Sequence, residues 1–238
     1  ISLKKYFQKS QKKLNLKPLI IAEISANHSG SKKKFLKLIR SAAMNGADLV
    51  KIQTYEAKDI TLNNYKVGNL NLWNLYSKAK TPLNWHKDAF KLAKKLNIIL
   101  FSTPFSVRAV QFLEKFNVRL YKISSFEITD LLLIDAIAKT KKPIILSTGM
   151  ASLKEIDRAV NCIKKYHSKI TILHCVSGYP TKEEDINLSR LVFMRQKYKE
   201  FNIGLSDHTD DINSSIASCC LGATFIEKHY ILNKNDKS

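Results

Sequence analysis

Residues 19–54 read LIIAEISANHSGSKKKFLKLIRSAAMNGADLVKIQT, and the pattern changes twice within them. The opening run from Leu19 is short and β-branched, as a strand requires, and a second such run, DLVKIQT, starts at Asp48. Between them KKFLKLIRSAAMNG repeats its apolar residues at helical spacing, so that Phe35, Leu36, Ile39, Ala42 and Ala43 form one face. Gly46 stands just before the second strand, where a helix ends on a left-handed residue, and Gly222 repeats this placement late in the chain. This is a strand–helix–strand unit.

Working outward, the same alternation recurs. Strands are predicted at IILFSTP from Ile98, RLYKISS from Arg119, PIILSTG from Pro143, ITILHCV from Ile170, NIGLSD from Asn202 and ATFIEKH from Ala223, which makes eight with the first two. Eight strands alternating with helices, without an early glycine-rich dinucleotide fingerprint, predict an α/β fold of the closed (β/α)8 TIM-barrel type rather than an open doubly wound sheet. The helix that would close the barrel after the eighth strand is missing from the pattern, since only ILNKNDKS follows. The expected division is a basic N-terminal segment over 1–18 and a catalytic barrel over 19–238, the latter a C-terminally truncated piece. The connection from Tyr55 to Pro82 carries Trp73 and Tyr76 and is long enough to suggest a lid.

Composition narrows the function classes. The chain has 238 residues, 45% of them hydrophobic, and no apolar run of membrane-spanning length or secretion-signal core, so a cytoplasmic protein without a membrane partner is expected. Forty basic against twenty acidic residues give a net charge of +20. The lysines lie in scattered short runs such as Lys12–Lys13, Lys94–Lys95 and Lys164–Lys165, not in a stripe with interleaved aromatics, which argues against a nucleic-acid partner. The cysteines at 162, 175, 219 and 220 have neither zinc-site spacing nor disulfide-scaffold density and read as reduced, mostly buried thiols.

Active sites of such barrels lie at the C-terminal ends of the strands. There the sequence places Glu23, Asn27 and His28, then Lys51 and Gln53, Thr103, Lys122 and Ser125, Ser147, Ser177, Ser206 and His208, and finally Glu227 and His229. Strand alternation puts Ser206 on the face of His208, Glu227 on that of His229 and Lys51 on that of Gln53. Two imidazoles on neighbouring strands suit one divalent ion, although each could equally satisfy a local hydrogen bond. Lys51 and Lys122 admit three readings: cations for a phosphate or carboxylate, a Schiff-base nucleophile, or lysines reaching into solvent. Glu23 and Glu227 suit acid–base work or a salt bridge to lysine. His86 and His167, at helix positions, are expected to face solvent, and His174 to be packed in the core.

The ordered segments IIAEISANHSG, ADLVKIQTYEAKDIT, FSTPFS, YKISSFE, ILSTGMAS, CVSGYPT, IGLSDHT and IEKHY resemble the sialic acid synthase family over about residues 19 to 230. EISANH and LYSKAKTPLNWH are most similar to its pseudaminic branch. The resemblance implies condensation of phosphoenolpyruvate with an amino-sugar aldehyde, with Mn2+ (or Mg2+ or Co2+) as cofactor, in a homodimer. It implies His208 and His229 as metal ligands, and Glu23, Lys51, Lys122 and Glu227 as catalytic groups. Lys51, Thr103, Lys122, Ser125, Ser147 and Ser206 match positions that hold phosphoenolpyruvate, while Asn27, Gln53, Tyr55, Ser177 and Tyr179 lie on the substrate side. Ser177 stands where the neuraminate branch usually has asparagine. The family also carries an antifreeze-like domain after the barrel, and an acidic residue beyond His229, that these residues do not include.

Overall fold

The computed structural model describes residues 3–7 and 17–233, so the basic segment 1–18, with Lys12 and Lys13, lies mostly outside the described residues. In chain order the elements are β1 (Leu19–Glu23), α1 (Lys32–Met44), β2 (Leu49–Thr54), α2 (Ala57–Ile60), β3 (Lys66–Val67), β4 (Leu70–Asn71), α3 (Leu72–Ala79) and α4 (His86–Lys95). There follow β5 (Ile99–Pro104), α5 (Val107–Glu114), β6 (Tyr121–Ile123), α6 (Leu131–Lys139), β7 (Ile144–Ser147) and α7 (Leu153–Lys164). Then come β8 (Ile170–Cys175), α8 (Ser189–Lys197), β9 (Asn202–Asp207), α9 (Asn213–Cys220) and β10 (Phe225–His229).

All eight predicted strands form. They close into a barrel in the order β1-β10-β9-β8-β7-β6-β5-β2, and the registers of β2–β5, β6–β7, β7–β8, β8–β9 and β9–β10 are parallel. Strands β5, β7, β8 and β9 are buried along their whole length, as parallel strands covered on both faces must be. Among the described residues no helix follows β10, and none is long and apolar enough to cross a membrane. Gly46 and Gly222 take the left-handed φ of 91° and 86° that their positions demand.

The chain divides into two compact units, one of Ile1–Ile21 with Leu120–His229 and one of Ala22–Arg119 with Tyr230–Ser238. In the second, the buried face of α1 is Phe35, Leu38, Ile39 and Ala42, packed with Val50, Ile52, Ala89, Ala93 and Leu100. Leu38 therefore takes the place expected of Ala43, which is only half-buried, because the stripe of a 3.6-residue helix is set by what it packs on as well as by spacing. The connection 55–82 is not a bare loop: it holds α2, the antiparallel pair β3–β4 and α3, whose first turn is capped by Asn71 accepting from Asn74 N at 2.9 Å.

In the first unit, α6 packs beside α7, whose start is closed by a reciprocal capping box between Ser152 and Glu155. Phe225 of β10 meets the Tyr6 ring edge-on at 5.5 Å between centroids. A Cβ on Gly204 of β9 would collide with the Phe225 carbonyl and the Leu173 side chain, so glycine there is what lets these strands approach.

Candidate active site

In the first unit three strand ends converge on a buried charge. Lys122 Nζ lies 2.9 Å from Glu227 Oε1, and Ser206 donates to the same oxygen at 3.2 Å. Lys122 is 2% and Glu227 4% exposed, which excludes a lysine reaching into solvent. The β9–β10 register sets Glu227 opposite Ser206, which fixes the hydroxyl in place. Burying an ion pair costs roughly several kcal/mol of solvation per ion, which the mutual attraction and the Ser206 hydrogen bond offset. Ser147 Oγ, also buried, has no hydrogen-bond partner among the described residues. Ser125 accepts the Gly149 N–H at 3.0 Å. Burial pushes the Cys175 thiol up, but contacts with His208 and Ser125 and the Lys122 charge outweigh it and leave the thiol below its ordinary value.

Two residues beyond Ser206 and Glu227, on the same face, stand His208 and His229, their ring centroids 5.6 Å apart. Tyr179 lies over His208 at 4.1 Å and meets His229 edge-on at 5.8 Å. Its phenol is pushed above its usual range by burial, then by Cys175 and Glu227. His208 Nδ1 is 2.8 Å from the Val176 carbonyl oxygen, so Nδ1 carries the hydrogen and Nε2 keeps a lone pair for a ligand. Neighbouring imidazoles are side chains of the type that could hold one divalent ion. Among the described residues no group of three or more His, Cys, Asp and Glu side chains suits a metal, so oxygen ligands from water and substrate would complete the shell. That donor set suits a hard divalent ion.

Behind the histidines Asp207 is fully buried and accepts from Thr209 N at 2.9 Å, Thr209 Oγ1 at 2.7 Å and Ser215 Oγ at 2.5 Å, with Lys228 Nζ at 3.1 Å. Burial alone would raise this carboxyl; these donors hold it below the ordinary value. The network clamps β9 to β10 beside the two histidines. Asp207 ends the predicted strand NIGLSD, while the chain order of its partners Thr209, Ser215 and Lys228 gives no sign that they meet it.

In the second unit Lys51 Nζ lies 3.0 Å from Glu23 Oε2, with side chains 6% and 3% exposed. Lys51, too, does not reach solvent. Asn27 Nδ2 donates to the Tyr230 carbonyl at 3.0 Å. Gln53 is half-buried and sits in register with Thr103, whose buried hydroxyl has no partner among the described residues. Tyr55 is packed against Phe105 and Tyr76, and burial, followed by Tyr76, raises its phenol above the usual range. A cavity of about 300 Å³ is lined by Tyr55 with Glu56, Asp59, Arg108 and Phe112, and Lys51 and Thr103 are not among its lining residues.

His86 corrects the expectation of a solvent-facing residue: it is fully buried. Its Nε2 meets Thr54 Oγ1 at 2.8 Å, Thr54 meets Ser102 Oγ at 2.7 Å, and Nδ1 meets the Pro82 carbonyl at 3.3 Å. Burial pushes its imidazole down to about 4, against smaller upward contributions from the Pro82 and Leu83 backbone. This chain ties β2 and β5 together next to Gln53, Tyr55 and Thr103. His28 is likewise buried, accepting Gly30 N at Nδ1 and packing edge-on against Trp85. His167 is half-buried, whereas His174 is in the core as expected, bonded to the Ile186 carbonyl at 2.7 Å. Of the cysteines, Cys162 and Cys175 are buried, Cys219 is intermediate and Cys220 is exposed; all four are free thiols.

Comparison with known proteins identifies the family. The pattern of the NeuB family matches residues 38–238. Pseudaminic acid synthase of Helicobacter pylori is 44% identical over 92% of this chain and 67% of its own length. N,N'-diacetyllegionaminic acid synthase of Campylobacter jejuni is 40% identical over 92% of this chain and 69% of its own. The crystal structure of N-acetylneuraminic acid synthetase from Leptospira borgpetersenii superposes with a TM-score of 0.85 at 36% identity, covering 91% of this chain and 74% of that one. With the barrel and these likenesses in agreement, the chain belongs to the NeuB family of sialic acid and pseudaminic acid synthases.

Proposed function

We propose that this protein condenses phosphoenolpyruvate with an amino-sugar aldehyde to give a nonulosonic acid and phosphate, and that the aldehyde is a 2,4-diacetamido-2,4,6-trideoxy-altrose, giving pseudaminic acid. The carrying observation is the buried Lys122–Glu227 pair, with Ser206 on the same carboxylate oxygen. A cation kept in a buried strand end, among serine hydroxyls of which Ser147 lacks a protein partner, is a cradle for an anion. Pseudaminic acid synthases at 44% and 41% identity favour the sugar.

In this reading Lys51 and Lys122 neutralise the phosphate and carboxylate of phosphoenolpyruvate, and Thr103, Ser125, Ser147 and Ser206 donate hydrogen bonds to them. The enolpyruvate methylene carbon attacks the aldehyde carbon, whose oxygen takes up a proton. Positive charge left at C2 is met by water, which loses its proton to Glu227 or Glu23. The tetrahedral product then expels phosphate by cleavage of the carbon–oxygen bond. Asn27, Gln53, Tyr55, Ser177 and Tyr179 orient the sugar. A divalent ion held by His208 and His229, manganese foremost, supplies Lewis-acid polarisation of the aldehyde oxygen. The protein works in the cytoplasm as a homodimer.

The test uses the full natural chain with phosphoenolpyruvate labelled with heavy oxygen at the bridging position, followed by phosphorus NMR with each candidate sugar. Labelled phosphate appearing only with an acceptor sugar is expected, together with loss of turnover under EDTA and in His208→Ala, with manganese restoring the chelated wild type alone. Unlabelled phosphate would overturn the bond assignment, and undiminished turnover after chelation would overturn the metal role.

A further inference from the structure

Gly149 occupies the loop two residues beyond the end of β7, and it is buried. Its φ lies outside the left-handed range, so the backbone there would accept any L residue. The reason for glycine is space. A Cβ built at this position would fall well inside van der Waals contact of Ser177 Oγ, 2.9 Å from Ser125 Oγ and 3.3 Å from Cys175 Sγ. Its own N–H donates to Ser125 Oγ at 3.0 Å. Three strand ends, those of β6, β7 and β8, thus bring two hydroxyls and a thiol onto one bare Cα.

We infer that Gly149 is a positioning residue that couples the two substrates: its missing side chain sets where both the Ser125 and the Ser177 hydroxyls point. The inference rests on the proposed condensation, in which Ser125 faces phosphoenolpyruvate and Ser177 the acceptor sugar. A methyl group would not break the fold, because a serine hydroxyl turns to another staggered rotamer about its Cα–Cβ bond, roughly 120° away. It would instead turn the Ser177 hydroxyl out of place and press on the Ser125 hydroxyl. Each displaced hydrogen bond to substrate weakens binding about fivefold to tenfold.

The experiment is a double-mutant cycle in the full chain. Gly149→Ala is expected to raise KM for both substrates by about that factor while kcat falls less. Placed on Ser177→Ala, where the principal clash is gone, it should change the acceptor KM less than about twofold yet still raise the phosphoenolpyruvate KM. On Ser125→Ala the pattern should reverse. An acceptor effect of equal size with and without Ser177 Oγ overturns the inference, as does a Gly149→Ala enzyme with unchanged constants. If Gly149→Ala fails to fold, restoration of folding by Ser177→Ala supports the same contact, and failure to restore it refutes it. A crystal structure of the variant decides the matter independently of turnover: the Ser177 hydroxyl is expected in a new rotamer, and an unmoved hydroxyl refutes the inference. Should the wild type release no phosphate from phosphoenolpyruvate, the functional reading fails and that crystal structure alone judges the steric claim.

Discussion

Lowering the pH should unfold this protein partly through His86. The imidazole is fully buried between Thr54, Phe112 and the Pro82 carbonyl, and its folded-state pKa is about 4 against an ordinary 6.5. Above pH 6.5 the side chain is neutral whether folded or unfolded, and its contribution to stability is complete. As pH falls below 6.5 the unfolded chain takes up the proton first, because the folded site resists it until about 4. Stability is therefore lost across this window, and at about 1.4 kcal/mol per pH unit the loss comes to about 3 kcal/mol. His86→Gln keeps an amide that can accept from Thr54 but cannot titrate. Urea unfolding of both proteins in steps from about pH 7.5 to about pH 4 should show the difference between them shifting toward the variant by about 3 kcal/mol. Burial also depresses His28 and His174, but both proteins share them and their effect cancels in the difference. Curves that stay parallel to within about 0.5 kcal/mol would refute the reasoning.

Two further predictions follow from packing. Lys122→Met should cost about 3 to 5 kcal/mol in urea unfolding, because it leaves a buried carboxylate without its ammonium partner, and adding Glu227→Gln should recover most of that loss; a single-variant cost below about 1 kcal/mol contradicts the role of the pair. Gly204→Ala should cost about 3 kcal/mol, since the Cβ would press on the Phe225 backbone carbonyl, which cannot rotate away as a side chain can; an unchanged melting temperature contradicts it.

The eight strands were legible because each is a short β-branched run set off by helical spacing, and all eight begin within two residues of their predicted starts without any appeal to partners. The polar strand ends were legible too, since charged and hydroxyl side chains recur where apolar runs stop. Hidden from that reading were α2, β3, β4 and α3 in the 55–82 connection. Two-residue strands and a one-turn helix leave too few residues for a period to show. The burial of His86 is hidden for a related reason: one residue at a helix start has no periodic signature of burial, and its surroundings come from Thr54, Phe112 and Phe116, distant in sequence.

The sequence by itself determined the alternation of strand and helix, the closed parallel barrel, and the residue types available at the strand ends, because those depend on local propensity and on which face of an element is apolar. Only the tertiary structure decided the partners. Lys122 and Glu227 are 105 positions apart, and their contact exists because the closed ring brings β6 and β10 to a common interior. The same holds for the Ser125 and Ser177 hydroxyls that meet over Gly149. A buried charge or hydroxyl acquires its function from the few atoms within hydrogen-bond reach, and folding, not chain order, supplies those atoms.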